Sequence, residues 1–315
     1  MPEESSTSKS TRPPASTPQN RQAPLTYNSY LKVSELKRLQ VCQSEPAHHD
    51  ELLFVIIHQA YELWFKLILH ELDTVLELLS AGSVRRANFF LRRVVAVMRL
   101  LVDQIHILET MSPRDFMGFR YNLNPASGFQ SSQFREIEFA LGLKDPRLLS
   151  HFQADAEAYE RLKERFQAPS LGDAFFELLR RQGFDIPPAQ PRTMSEPEWE
   201  SLQSLFKQQG SGGPPCEHAS APEEAPAELQ EQRIQALLKV YNDPETHAGL
   251  HDLAESMFDI DELVYLWRTH HVTVVERMIG FKRGTGGSEG VGYLRATMMK
   301  RCFPELWKLR TYLEQ

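Results

Sequence analysis

DELLFVIIHQAYELWFKLILHELDTVLELL, residues 50–79, decides the fold class. Its apolar positions Phe54, Tyr61, Phe65, Ile68 and Leu72 recur at spacings of three, four and seven, the period of one helix face, and Leu53, Ile57, Trp64 and Leu67 form a second stripe beside them. A helix with so wide an apolar face packs centrally. Residues 88–110 repeat the pattern through Phe90, Leu91, Val94, Met98, Leu101, Val102, Ile105 and Leu108, with Arg92, Arg93 and Arg99 on the polar side. Further helices are expected over Pro197–Gln208, where Ser195 and Glu198 have capping-box spacing, and over Glu228–Tyr241. Asp259 and Glu262 repeat that spacing at the start of a run that continues to Met278 and stops at Gly280, a usual helix terminator. No alternating segment of strand length stands out. The expected fold is all-α, a helical bundle.

Composition narrows the function. The 315 residues carry 35 lysines and arginines against 42 acidic residues, a net charge of −7, so a nucleic-acid partner is not expected. Cys42, Cys216 and Cys302 are odd in number and far apart, which fits neither a disulfide framework nor a CxxC zinc site and points to a reducing, cytoplasmic setting. Uninterrupted apolar runs such as Leu52–Ile57 are far shorter than the ~20 residues of a bilayer span, and no signal-peptide segment is evident, so no membrane partner is expected. Residues 1–23, with five serines, three threonines and four prolines, read as a disordered tail, and Gln208 to about Ala227 as a flexible surface excursion. Residues 24–315 are then one domain interrupted by that excursion.

Polar residues on apolar helix faces mark where chemistry could sit, because burying them is costly without a partner or ligand. His58 shares a face with Phe54, Tyr61 and Phe65 and is either a core histidine bonded to a carbonyl or a pocket-lining imidazole. In LWRTHHVTVVERMIG, His271 shares a stripe with Val264, Trp267, Val274, Val275 and Met278, whereas His270 lies between Leu266, Thr273 and Arg277. Only His271 points into apolar surroundings, where an imidazole is either a satisfied core residue or an axial haem ligand. The loop GFKRGTGGSEGVGYLR, residues 280–295, holds six of the sixteen glycines. Glu289 stands where a dinucleotide loop needs glycine and no Lys-Ser or Lys-Thr makes a P-loop, which leaves a simple connection or a loop closing over a small polar ligand through Thr285 or Ser288. His48, His49, Asp50 and Glu51 have the residue types of a two-histidine, one-carboxylate iron site, but adjacent histidines at a helix start diverge and first-turn acids complement the helix dipole. Arg120, among Phe116, Phe119 and Tyr121, is either a cation–π patch or a carboxylate anchor.

Four stretches, LTYNSYLKVSELKRLQ (25–40), HHDELLFVIIHQAYELWFKLILHELD (48–73), DFMGFRYNLNPASGFQSSQFR (115–135) and WRTHHVTVVERMIGFKRGTGGSEGVGYLR (267–295), together resemble the tryptophan 2,3-dioxygenase family. Ser132 stands where many relatives carry leucine, and the excursion and tail have no clear family counterpart. The resemblance implies an all-α homotetramer with haem b in each subunit. It implies His271 as the axial iron ligand, His58 as the catalytic-side histidine accepting the indole N–H, and Phe54 and Phe116 as walls around the indole. Arg120 matches the carboxylate anchor, Thr285 a hydroxyl on the ammonium or carboxylate, and Ser127 and Gly128 residues near the haem edge and substrate. Tyr27, Tyr30 and Leu31 match a segment that reaches into the neighbouring subunit's pocket. The implied reaction inserts both atoms of O2 across the indole C2–C3 bond of L-tryptophan, giving N-formyl-L-kynurenine, the first step of the kynurenine pathway. The competing readings are a related haem enzyme that monooxygenates another indole or aromatic amino acid, and a helical haem sensor or binding module.

Overall fold

The computed structural model describes residues 24–188, 194–195, 197–201, 204, 226–282 and 291–313. The chain groups into two compact units, 1–41 and 42–315. Among the described residues there is no strand, as the all-α expectation requires.

In the first unit the described residues form two single-turn helices, α1 (Tyr27–Tyr30) and α2 (Val33–Leu36). Thr26 and Ser29 close a capping box at the start of α1, and Lys32 takes a left-handed conformation between the two turns. Leu25, Tyr27, Tyr30, Leu31, Leu36, Leu39 and Val41 are all exposed, so the segment has no core of its own.

The second unit is built on three long helices: α3 (His49–Ser80), α4 (Val84–Leu108) and α10 (Ala248–Ile279). Between them lie α5 (Pro113–Phe119), α6 (Ser132–Ala140), α7 (Ala156–Gln167), α8 (Leu171–Arg181) and α9 (Ala227–Asn242), and α11 (Val291–Met298) and α12 (Pro304–Leu309) follow. The middle position belongs to α4, which packs on both other long helices. It runs antiparallel to α3, since Tyr61 Oη donates to the Leu101 carbonyl, Gln104 to the Ile57 carbonyl and Arg93 to Glu71. It runs parallel to α10, where Asn88 donates to the Gly249 carbonyl, Arg92 to Asp252 and Arg99 to Asp259 at nearly constant offset. The apolar stripes read from the sequence fill the α3–α4 interface, where Ile68, Leu72, Leu91, Leu101 and Ile105 are essentially inaccessible, and Leu253 and Ile260 of α10 are equally buried. Helix α3 is long and apolar enough to span a bilayer by length and composition, and one face of it packs against α4, α6 and α8.

The helix starts differ from expectation in two places. Helix α4 begins at Val84 rather than Asn88, directly after the Gly82 turn whose φ of 75° ends α3. Helix α10 begins at Ala248, so Asp259 and Glu262 lie mid-helix and Asp259 pairs with Arg99. An Asp-x-x-Glu spacing also suits an exposed helix face, and residues 250–258 contain neither glycine nor proline while burying Leu250, Leu253, Ala254 and Met257. The end at Gly280, with φ of 59°, falls as expected. Where a helix over Pro197–Gln208 is expected, residues 197–201 and 204 are helical and the Glu198 carboxylate accepts from the Ser195 N–H and hydroxyl, the return half of the expected capping box; residues 202, 203 and 205–208 lie outside the described residues. The tail 1–23, the rest of the 208–227 excursion up to 225, and loop residues 283–290 lie outside the described residues.

Candidate functional site

The second unit holds a cavity of about 570 Å³, lined by α3, α4 and α10 and their neighbours. That is the size of small-ligand and cofactor sites, and its walls are mostly aromatic and aliphatic. Phe54, His58, Tyr61 and Phe65 enter from α3, Phe116 from α5, and Trp267, His271, Val274, Val275 and Met278 from α10. Both helix faces picked out by periodicity thus open onto the same space.

His58 resolves its two readings by satisfying both. Its Nδ1 lies 2.7 Å from the Phe54 carbonyl one turn earlier, so Nδ1 carries the proton and donates, leaving Nε2 as an acceptor. Burial pushes its pKa down, against smaller upward effects from that carbonyl and from Glu62, so the ring is neutral near pH 7. Phe54 lies 4.1 Å from His58, ring centre to ring centre, and Phe116 and Phe119 are each 5.7 Å from Phe54, forming an aromatic wall.

His271 lines the same cavity, and neither of its ring nitrogens bonds a described residue. Burial, then the nearby His58 and the Arg135 charge, lower its pKa to about 4, which keeps a lone pair available at neutral pH. One turn earlier, Trp267 stacks on it at 5.1 Å with only 8° between planes, and Tyr61 and Phe134 pack against Trp267. His270 faces elsewhere, edge-on to His106 at 4.9 Å. Of the two adjacent histidines, the one on the apolar face reaches the cavity.

Arg120 is buried, only 8% exposed, and lines the cavity from the 3₁₀ turn Arg120–Leu123 that follows α5. Helix α5 is fixed by Ser112, whose hydroxyl caps Asp115 N–H, and by Pro113 in its first turn. Ser127 and Gly128 also line the cavity, held by a capping box in which Phe129 N–H donates to Ser127 Oγ and Ser127 N–H to Gln130. Thr285 lies outside the described residues. Tyr27, Tyr30 and Leu31 belong to the first unit, where all three are exposed.

Sequence reasoning missed a charged corner of this cavity. Glu138 is buried between Arg135 and Arg268, and Arg268 also donates to the Thr297 and Lys300 carbonyls at 3.2 Å. Burial alone would raise the Glu138 pKa, but the two guanidinium groups bring it below the usual carboxylate range. Arg135, Arg268 and Glu138 together carry one net positive charge on the wall. Glu138 and Arg268 are 130 residues apart, so no local spacing could announce the pair. Among the described residues no cluster of histidine, cysteine and carboxylate could hold a metal ion: His49 points to solvent beside Asp50, while His48 turns inward toward Gly118.

Comparison with known proteins gives the family of the chain. The family model for tryptophan 2,3-dioxygenase matches residues 14–183 and 227–313, leaving out the stretch that contains the excursion. A protein of Herpetosiphon aurantiacus named tryptophan 2,3-dioxygenase is 44% identical over 290 residues, covering 92% of this chain and 98% of its own. Proteins of the same name from Caulobacter vibrioides, at 40% identity (92% and 98% covered), and Myxococcus xanthus, at 36% (91% and 89% covered), are similar along nearly their whole lengths. With an all-helical fold, a match on both sides of the excursion and identity sustained over full-length relatives, the chain belongs to the tryptophan 2,3-dioxygenase family.

Proposed function

We propose that the cavity between α3 and α10 holds haem b on His271 and L-tryptophan beside it, and that the chain dioxygenates tryptophan there to N-formyl-L-kynurenine, opening the kynurenine pathway. The observation that carries this reading is the pairing of two neutral, half-buried imidazoles on one apolar cavity next to a buried arginine. Only one of the two imidazoles has a ring nitrogen bonded to a described residue.

The residues present suit a haem. His271 offers a neutral nitrogen in apolar surroundings, and Trp267 fixes the plane of its ring. The net positive charge of the Arg135–Glu138–Arg268 corner suits the carboxylates of the porphyrin edge. When bound, the haem iron supplies the activation of dioxygen for insertion of both atoms across the indole C2–C3 bond.

The chain's own groups then bind and orient. His58 Nε2 accepts the hydrogen bond of the indole N–H, because its other nitrogen is committed to the Phe54 carbonyl. Phe54 and Phe116 flank the indole with apolar surface and exclude water. Arg120 grips the α-carboxylate, Thr285 contacts the ammonium or carboxylate, and Ser127 and Gly128 border the haem edge. Charge-assisted hydrogen bonds contribute about 1.5–3 kcal/mol each, so Arg120 and Thr285 supply most of the preference for a free amino acid over indole. Held at several points, the reacting carbons are presented in one orientation, which is the main contribution a protein makes when its cofactor performs the electronic step.

In the same reading residues 24–315 act as one functional domain of a cytoplasmic homotetramer. The apolar side chains of Tyr27, Tyr30 and Leu31, exposed within their own unit, complete a neighbouring subunit's site. The test is product mass: reduced, haem-loaded protein incubated with L-tryptophan and labelled dioxygen should give one product carrying two labelled oxygens. A single labelled oxygen would instead favour the monooxygenase reading, and haem binding without turnover the sensor.

A further inference from the structure

The His48–Glu51 side chains do not converge on one point among the described residues, yet Glu51 is fully inaccessible to solvent at the start of α3. Its carboxylate accepts from Gln43 N–H at 2.6 Å, from Ser44 N–H at 3.0 Å and from the Ser44 hydroxyl. Burial alone would raise its pKa, but the Ser44 hydroxyl, the two backbone N–H groups and nearby His48 bring it below the ordinary carboxylate range, so it accepts as an anion. Three donors on one buried carboxylate fix the conformation of residues 43 and 44 against the first turn of α3.

That fixed segment reaches the candidate site by two routes. Gln43 turns its carbonyl to Asn122, whose side-chain amide donates to it at 3.3 Å, and Asn122 lies two residues after Arg120 in the same 3₁₀ turn. Ser44 Oγ accepts from His48 N–H at 2.8 Å, and the His48 ring lies against Gly118, where an added Cβ would come 2.7 Å from Nε2. Glycine at 118 thus allows the last turn of α5, which delivers Phe119 and Arg120, to seat on His48. The His48 ring also packs 5.5 Å from Phe119.

We propose that Glu51 is a positioning residue for Arg120: by fixing Gln43, Ser44 and His48 it holds the turn from which the guanidinium enters the cavity, and so sets selectivity for ligands bearing an α-carboxylate. This rests on the reading of Arg120 as carboxylate anchor. Glu51 touches no ligand; its effect travels through five hydrogen bonds and one close backbone approach.

The test compares L-tryptophan with tryptamine, which keeps the ring and the amine but lacks the carboxylate. Each is titrated spectroscopically into the haem-loaded protein. Arg120→Leu should compress the ratio of the two affinities by about tenfold or more, the loss of a charge-assisted contact. Glu51→Gln, which keeps the shape but replaces one acceptor oxygen with a donor facing N–H groups, should compress it by about fivefold while tryptamine affinity and haem content stay close to wild type. Asn122→Ala, at an exposed position where folding is not at stake, should act in the same direction more weakly. Equal weakening of both ligands by Glu51→Gln, or an unchanged ratio in Asn122→Ala while Arg120→Leu compresses it, overturns the proposal. An unchanged ratio in Arg120→Leu overturns the anchor itself, and this inference falls with it.

Discussion

Replacing His58 with leucine removes the proposed acceptor while keeping a side chain of similar bulk on the cavity wall. The Phe54 carbonyl that His58 occupies is also an acceptor within α3, so losing the 2.7 Å side-chain bond leaves no orphaned backbone group and should cost little stability. The cost falls on the complex. An indole N–H enclosed without a partner loses about 1–3 kcal/mol relative to one that is satisfied, or about 5- to 150-fold in affinity for L-tryptophan. The same substitution should barely affect 1-methyltryptophan, which has no N–H to satisfy. Titrating both ligands into wild-type and His58→Leu protein gives a double-mutant cycle whose coupling is the hydrogen bond itself. Equal losses for both ligands, or no loss for L-tryptophan, would refute the assignment. The pH dependence follows from the same nitrogen. Because burial holds the His58 pKa below its ordinary 6.5, wild-type affinity should stay level as pH falls through 6.5 and decline only at lower pH, when Nε2 takes a proton and stops accepting.

Arg120→Leu should lower L-tryptophan turnover by about tenfold or more while folding and haem content, read by circular dichroism and absorbance, stay intact; unchanged turnover would remove Arg120 from the site. Glu138→Gln leaves Arg135 and Arg268 buried with their shared counter-charge gone and should destabilise the fold by about 3–5 kcal/mol, seen as a lowered urea midpoint. In the wild type the Glu138 pKa is lowered on folding, so its contribution is complete above 4.5 and disappears as pH falls through the lowered value; a variant whose deficit stayed constant down that range would contradict the pairing.

What the sequence revealed about this site follows the reach of its signals. Helical period is local, so α3 and the inward face of α10 were legible, and with them His58 and the choice of His271 over His270. Capping spacing is local too, but Asp259 and Glu262 showed that the same spacing arises on a solvated helix face paired to a neighbour. The buried Arg135–Glu138–Arg268 corner joins α6 to α10, and Glu51 acts through a loop and a turn that carry no periodicity. Such pairings are set by tertiary packing and leave no local pattern. Arg120 lay between the two cases: its aromatic neighbours marked it as special, but only the fold placed it on the cavity wall.

The most direct measurement of the central claim is the Soret absorbance of two variants purified with haem supplied, His271→Ala and His270→Ala. If His271 holds the iron, His271→Ala loses stable haem incorporation and His270→Ala, where the native ring meets His106 away from the cavity, retains it. A Soret band that survives in His271→Ala and vanishes in His270→Ala would contradict that role.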